Sequence, residues 1–255
     1  MNLRSTGPLH ISISESQPFD EFNGSDETSS MPLGVADTRA RMTVREGFIY
    51  FVIAAAIDCI LGFYHFPSVL KGSLINPDSY MRLVRLNETL AQHAPAYIVT
   101  WDASGAGMLL YWSHLLDSIL LLLAAPLMPL MSEQQALHWA AVAFGPIGIG
   151  LLAVSIAWAT APFTNTGWRW LIPPFAAVSP AIITYALPSD FHHHIPVATA
   201  CVMMAGWAVR SVWLGRPAGR KMGAWAAVGI WLTAESMPFI LASFGGLGSP
   251  SISFP

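Results

Sequence analysis

Apolar runs of about 20 residues recur along this chain, and they constrain its fold more than any other feature. Inside a lipid bilayer only helices of this length satisfy their own backbone hydrogen bonds, and no alternating strands of a membrane barrel are present. Charged residues make up 11% of the chain, against about 25% in soluble domains. We therefore expect an all-α fold, a polytopic transmembrane helix bundle of about five to six spans. The runs lie at roughly 47–66, 115–131, 136–160, 168–187, 194–214 and 222–247.

Polar ends flank this apolar region. Residues 1–45 are rich in Ser, Thr, Asp and Glu and contain no apolar core, which predicts a disordered tail and no cleavable signal peptide. Residues 46–248 form the predicted transmembrane domain, and residues 249–255 form a short tail. The longest polar excursion within the domain is 67–112.

Arginines near the N-terminus set the expected orientation. Arg39, Arg41 and Arg45 precede the first apolar segment, so the positive-inside rule places the N-terminal tail in the cytoplasm. Residues 67–112 then form a long first periplasmic loop.

A second basic loop conflicts with this orientation. The positive charge of this loop indicates that it lies in the cytoplasm. Five full crossings before it would instead place the loop on the periplasmic side. A bent or interfacial segment 168–187, which is rich in proline, removes the conflict if it does not cross. The cations of this loop are Arg210, Arg216, Arg220 and Lys221.

The loop after the first segment carries an acid followed by two arginines. The spacing over 77–92 predicts an amphipathic surface helix, with Asp78 as its N-cap. On such a helix Asp78 and Arg82 can pair, and the planar guanidinium of Arg85 suits phosphate oxygens. The alternative is a helix cap with solvated surface charges.

Three consecutive histidines, His192, His193 and His194, follow Asp190 where the fifth segment opens. Asp190 and His194 would share a helical face, which suits a divalent metal with mixed oxygen and nitrogen ligands. Histidine also suits a proton relay or acid–base role, because it titrates near neutral pH. An interfacial polar turn is the alternative to both.

Two carboxylates lie inside apolar segments. Glu235 is the only charge within the last one, and Asp58 lies near the end of the first. A carboxylate at the centre of a membrane helix costs about 2.5–3.5 kcal/mol on insertion scales, so each is expected to face a cavity or a partner. Pro238 can break the helix close to Glu235.

A polar group also opens the second segment. His114 and Asp117 are three residues apart and can add to a polar mouth, after the aromatic pair Tyr111 and Trp112. An aromatic belt followed by a helix start is the alternative interpretation.

Taken in order, these stretches resemble the GT-C superfamily of integral membrane glycosyltransferases, and most closely its bacterial oligosaccharyltransferase-like members. The resemblance covers roughly 46–245 and departs from the family at two points. The expected leading His and the Arg of the second stretch are Tyr111 and His114, and Asp190 stands two residues before the family's position for the second acid. The stretches are Asp78-Ser79-Tyr80-Met81-Arg82-Leu83, Tyr111-Trp112-Ser113-His114-Leu115-Leu116-Asp117, Asp190 with His192-His193-His194, and Glu235-Ser236-Met237-Pro238.

The resemblance implies a multi-pass protein of the bacterial inner membrane that takes a sugar from a polyprenyl-phosphate-linked donor. It implies catalytic roles for Asp78, Asp190 and Glu235, and substrate binding by Arg82, Arg85 and His114. A divalent metal, Mg²⁺ or Mn²⁺, is implied at a site made of Asp78, Asp190, His192, His193 and Glu235. Family members are usually about twice this length, which leaves two alternatives: a truncated gene product, or one half of a split enzyme whose partner would be a missing C-terminal half on another chain. The other expected partners are the lipid-linked donor and the membrane lipids.

Two other classes of protein fit the same residues. A fragment of a proton-coupled transporter would use Asp58, Glu235 and the histidines as a relay, with the two acids near the midplane. A non-catalytic membrane protein would use the polar groups only as structural pairs. The net charge of −3 and the absence of a basic, aromatic patch argue against a nucleic-acid partner.

Overall fold

The computed structural model describes residues 41–99, 105, 107–109, 113–215 and 217–247. Except for 41–45, the predicted N-terminal tail lies outside the described residues, as does the predicted tail 249–255. The same holds for the aromatic pair Tyr111 and Trp112 and for Arg216.

The described part of the chain is mostly helical. One short antiparallel pair of strands, β1 (Ile98–Val99) and β2 (Met108–Leu109), interrupts the helices, with Ile98 opposite Leu109. The helices are α1 (Val44–Leu61), α2 (Phe66–Val69), α3 (Pro77–Gln92), α4 (His114–Ala124), α5 (Glu133–Thr160), α6 (Thr166–Arg169), α7 (Ile172–Val178), α8 (Pro180–Ile183), α9 (His194–Leu214), α10 (Gly219–Leu232) and α11 (Met237–Leu247).

Three described helical stretches are long and apolar enough to cross a membrane: Val44–Val69, Glu133–Thr160 and His194–Leu214. Side chains cap the first two at their N-termini. Thr43 and Glu46 form a capping box on α1, with the Glu46 amide donating to Thr43 Oγ1 at 3.1 Å, and Ser132 caps α5 in the same way.

Helices α1 and α5 are antiparallel neighbours. His138 Nε2 lies 3.0 Å from the carbonyl oxygen of Val69, so the start of α5 meets the end of the first apolar stretch. At the other end, a Cβ added to Gly150 would lie 2.5 Å from the Phe51 ring, so only glycine fits this close approach.

This arrangement corrects the expected crossing at 115–131. Since Val69 and His138 are in contact, the chain between them makes no net passage across the bundle. Helix α4 has 11 residues and spans about 16 Å, roughly half of the hydrocarbon core. Its buried leucines pack instead against the first turns of α5.

The sequence leaves open whether the segment 168–187 crosses. In the structure it runs along α1 from the N-terminus of that helix to its C-terminal end, where a Cβ added to Gly62 would lie 2.4 Å from Pro188. Arg169 Nη1 donates to the carbonyl of Arg41 at 3.1 Å, beside the N-terminus of α1. The carbonyl of Ala186 lies against Gly145, where an added Cβ would come within 2.0 Å of it. Proline separates this passage into the short helices α6, α7 and α8.

These contacts define two ends of the bundle. The histidine end holds Val69, His138, His194 and Glu235, and the arginine end holds the carbonyl of Arg41, Thr160, Arg169 and Arg210. Helix α9 runs from the first end to the second, where Arg210 Nη2 donates to the carbonyl of Trp158 at 2.5 Å.

The conflict between charge and crossing count therefore disappears. Because 115–131 makes no crossing and 168–187 makes one, the basic loop after Arg210 lies at the same end as Arg41. Helix α10 then returns the chain to the histidine end, where Glu235 meets the histidines.

Candidate functional site

The first turn of α3 is docked onto the loop that precedes α9. The Ser79 amide donates to Asn76 Oδ1 at 3.0 Å, so Asn76 caps α3 and the prediction that Asp78 is the cap is wrong. Asn76 Nδ2 donates to Asp190 Oδ1 at 2.5 Å, and the Phe191 amide donates to Ser79 Oγ at 3.2 Å. Two distant parts of the sequence are thereby fixed side by side.

Asp190 has a structural position in this junction. It is 2% exposed, and burial, followed by the nearby charge of Asp78, raises its pKa to about 6. It is not among the described residues that line the cavities below. Because its carboxylate oxygen Oδ1 is engaged by Asn76, Asp190 holds this junction together, and its predicted role as catalytic acid or metal ligand stays a prediction.

Asparagine and alanine at position 190 should behave differently. Asp190→Asn keeps an acceptor oxygen for Asn76 and removes a buried charge, so we expect the folded population to be unchanged or larger. Asp190→Ala leaves the half-buried amide donor of Asn76 without its acceptor and should cost about 1 kcal/mol. Thermal unfolding of the detergent-solubilised protein, followed by circular dichroism, measures both. Equal destabilisation by the two substitutions would show that the carboxylate itself is required.

The three histidines contact the other two predicted acids. His192 Nε2 lies 3.3 Å from Asp78 Oδ2. Glu235 Oε2 lies 3.6 Å from His193 Nε2 and 4.0 Å from His194 Nδ1. Asp78, the histidines and Glu235, predicted from three separate stretches of sequence, are thus brought together at the histidine end.

The backbone around the histidines explains how three consecutive rings converge. Helix α9 begins at His194, so His192 and His193 lie in the preceding loop, and the expected sharing of one helical face with Asp190 is wrong. The rings pack on one another with centroids 4.3–4.7 Å apart. Tyr185 packs edge-on against His194 at 4.3 Å and holds the group from the side.

Burial keeps two of these imidazoles neutral near pH 7. It lowers the pKa of His193 to about 4, with the neighbouring imidazoles adding to the effect and Glu235 opposing it. Burial also lowers the pKa of His192 from its ordinary value, and the hydrogen bond to Asp78 opposes that shift. Their ring nitrogens therefore keep lone pairs available for a ligand at neutral pH.

A break in the last apolar segment places Glu235. Thr233 is extended, with φ −165° and ψ 147°, and separates α10 from a 3₁₀ turn at Ala234–Ser236. The side chain of Glu235 is 68% exposed. The expected break near Glu235 is therefore present, but it lies at Thr233 and precedes Pro238, which lies in the first turn of α11.

Asp117 is the centre of a buried charge network. Arg82 Nη1 donates to Asp117 Oδ1 at 3.1 Å, and Arg85 Nη2 donates to Asp117 Oδ2. Both arginines also reach the carbonyl of Ser113, at 3.5 and 3.2 Å. His114 Nδ1 lies 3.3 Å from Asp117 Oδ2. The network fixes the start of α4 against α3.

The two arginines of this network differ in their access to a ligand. Arg85 is 0% exposed, which contradicts its predicted contact with substrate and makes it a structural residue. Arg82 reaches the cavities described next, and burial lowers its pKa while the carboxylate of Asp117 opposes the shift.

A cavity of about 610 Å³ opens between these groups. A smaller one of about 70 Å³ lies beside it, and the two share Arg82 and His193. The larger cavity is lined by Arg82, Ser113, His114, His193, Ile230, Trp231, Leu232, Thr233, Ala234 and Glu235. The smaller is lined by Asp78, Arg82, Phe191, His192 and His193.

An apolar cavity of about 330 Å³ adjoins the polar one at Leu232. Its walls come from α4, α5, α9 and α10, and include Leu115, Phe144, Pro196 and Trp225. The two cavities have Leu232 in common, so an apolar slot between the helices lies next to the polar cavity.

The donor atoms at the site do not suit the expected Mg²⁺. Magnesium takes oxygen ligands in a near-octahedral arrangement. Here three imidazoles outnumber the carboxylates of Asp78 and Glu235. Asp190, which would supply a further oxygen, is held by Asn76.

Three residues at this junction were missed as site residues. Asn76 followed by Pro77 is a helix-start signal that identifies the true cap of α3. Ser79 carries no comparable local signal. Asp117 was noted only as part of a polar mouth, since its pairing with two arginines on another helix is a tertiary contact.

No protein-family model, curated protein or solved structure matches this chain. The geometry of the site is therefore the basis for any functional proposal.

Proposed function

We propose that this chain is a membrane glycosyltransferase, or a portion of one, that transfers a sugar from a polyprenyl-phosphate-linked donor. The observation that carries the proposal is the convergence of Asp78, Arg82, His193 and Glu235 around connected cavities. Perturbed and charged side chains that converge on a cleft are typical of catalytic sites.

The adjoining apolar slot supports a lipid-linked donor. A polyprenyl phosphate has a charged head and a long hydrocarbon tail. The polar cavity offers room and charge for the head, and the slot that begins at Leu232 offers hydrocarbon contacts for part of the tail. This combination favours an amphiphilic substrate over a freely soluble sugar nucleotide.

The charged residues supply the two functions that sugar transfer needs. The guanidinium of Arg82 faces the cavity and can neutralise charge on the departing phosphate. Glu235 is exposed and lines the same cavity, and it can accept a proton from the acceptor. Asp78 orients His192 through their 3.3 Å contact.

The proposed location is the bacterial inner membrane, with the N-terminus in the cytoplasm and the site at the periplasmic face. Basic residues gather at the arginine end of the bundle, which the positive-inside rule places in the cytoplasm. Three helical stretches are long and apolar enough to span the membrane, and the further spans of the five to six belong to the proposal.

A proton-coupled transporter is the second candidate, and Asp58 is the observation that favours it. Asp58 is 0% exposed, and neither carboxylate oxygen has a hydrogen-bond partner among the residues that the structure describes. Glu235 is largely exposed at one end, which does not fit a relay between two acids at the midplane. Proton uptake by vesicles carrying wild type or Asp58→Asn tests this candidate.

Asp78→Ala should reduce the rate of sugar transfer from membrane lipid extracts by about 100-fold or more. The reason is that His192 loses its carboxylate partner at the cavity wall. Radiolabelled transfer in membranes of the native host, where any partner chain is present, measures this. Gln92→Ala, on the exposed last turn of the same helix, is the matched control. Equal transfer by wild type and Asp78→Ala would remove the proposed site.

A further inference from the structure

We propose that His192, His193 and His194, flanked by Asp78 and Glu235, bind a transition-metal dication of the zinc class rather than Mg²⁺ or Mn²⁺. The proposal deepens the proposed function, on which its catalytic meaning rests. The binding itself is measurable without any sugar transfer.

The spacing of the donor atoms suits a single ion. One ring nitrogen from each of the three histidines lies within 4.8 Å of the other two. Tetrahedral Zn²⁺ with Zn–N distances of about 2.0–2.1 Å places its ligands roughly 3.4 Å apart. The nitrogens would have to approach one another by up to about 1.4 Å to take these positions around one ion.

A buried nitrogen of His192 is the second, independent observation. Its Nδ1 is buried and has no hydrogen-bond partner among the described residues, while Nε2 faces the Asp78 carboxylate. A carboxylate that holds one ring nitrogen and leaves the other for an ion is the usual arrangement around a metal-binding histidine. Asp78 is thus placed to orient the ligand.

Glu235 closes the opposite side of the group. Its Oε2 lies 3.6 Å from His193 Nε2 and 4.0 Å from His194 Nδ1. A carboxylate oxygen at this position can complete four-coordination or share the last position with a water or substrate oxygen. The side chain is exposed toward the cavity, so the ion would remain reachable by a phosphate.

The chemistry of the donors selects the ion. Imidazole suits Zn²⁺, Cu²⁺, Fe²⁺ and Ni²⁺, whereas Mg²⁺ and Mn²⁺ favour carboxylate, carbonyl and water oxygens. A set of three nitrogens and two carboxylates therefore binds zinc-class ions more tightly than Mg²⁺. When bound, such an ion would supply a Lewis acid for a phosphate oxygen.

The test uses the full chain, purified through an affinity tag that contains no histidine and stripped with a chelator. Zn²⁺ is titrated in competition with a chromogenic chelator, and Mg²⁺ is titrated separately. We expect one Zn²⁺ per chain that millimolar Mg²⁺ does not displace. The double variant His193→Ala/His194→Ala should lose at least about 100-fold in Zn²⁺ affinity, since even outer-shell partners contribute 10–100-fold.

His93→Asn is the matched control, because His93 is exposed and its φ of 51° is one that asparagine tolerates. It should bind Zn²⁺ as wild type does. Asp78→Asn should weaken binding about 10-fold with unchanged circular dichroism. Zn²⁺ binding that is equal in wild type and the double variant, or readily displaced by Mg²⁺, would overturn the proposal.

The same preparations separate this proposal from the proposed function. Specific Zn²⁺ binding by a chain that transfers no sugar would leave the metal site standing and remove the transferase. Sugar transfer by a chain that binds no Zn²⁺ would leave the proposed transferase standing and remove the metal site.

Discussion

Asp117→Ala should destabilise the fold by about 3–5 kcal/mol, the cost of removing one partner from a buried ion pair. The substitution takes a counter-charge from Arg85, which is 0% exposed, and from Arg82, which is 5% exposed. It also releases the start of α4 from α3. A lower apparent melting temperature of the detergent-solubilised protein is the expected result, together with a loss of folded material on size-exclusion chromatography.

A double-mutant cycle of Asp117 and Arg85 tests whether the loss of stability comes from the interaction between these two residues. Arg85→Ala alone should be less damaging than Asp117→Ala, because the buried carboxylate keeps Arg82 as a partner. The double variant should be clearly less destabilised than the sum of the two, since it buries fewer uncompensated charges. Additive effects, or a loss below about 1 kcal/mol in either single variant, would show that the network contributes little.

The sequence predicts the apolar helices well where hydropathy and length agree. The segments 47–66, 136–160 and 194–214 fall within the three candidate spans of the structure. Hydropathy does not predict a crossing correctly where a segment is apolar but its helix is short. At 115–131 the leucines pack on neighbouring helices, and only the contact between His138 and Val69 reveals that no passage occurs.

The prolines predict an interrupted helix in two segments, but the path of the chain after each interruption depends on tertiary packing. The sequence shows that 168–187 is interrupted, yet its passage follows from Arg169 at one end and Ala186 at the other. The last segment breaks at Thr233, several residues before Pro238. An extended residue of this kind has no local sequence signal, so the exposure of Glu235 was not predictable.

The site shows the same division between local and long-range information. Unusual polar residues beside apolar runs identify Asp78, the histidines and Glu235 as candidates, and the structure brings them into contact. Which charges are structural could not be read from sequence, because Arg82 and Arg85 lie one turn apart on α3. Only their burial against Asp117 distinguishes the cavity residue from the core residue.

Glu235→Gln should reduce sugar transfer by about 10²–10⁴-fold, the usual contribution of a general base. Glutamine keeps the shape of the side chain and an oxygen near His193, but it cannot accept the proton of the acceptor. Because the side chain is 68% exposed, its loss of charge should leave the unfolding transition unchanged. Turnover at saturating donor, measured by radiolabelled transfer, gives the comparison with wild type.

Glu133→Gln is the matched control, since Glu133 is also an exposed acid at a helix N-terminus but lines none of the cavities described at the site. Its transfer rate should equal that of wild type. If Glu235→Gln retains transfer within about threefold, proton acceptance by Glu235 is not required, and the role of Glu235 reduces to holding His193 and His194. In that case the acceptor must lose its proton to another group at the cavity, and His114, which lines the same wall, is the residue to substitute next.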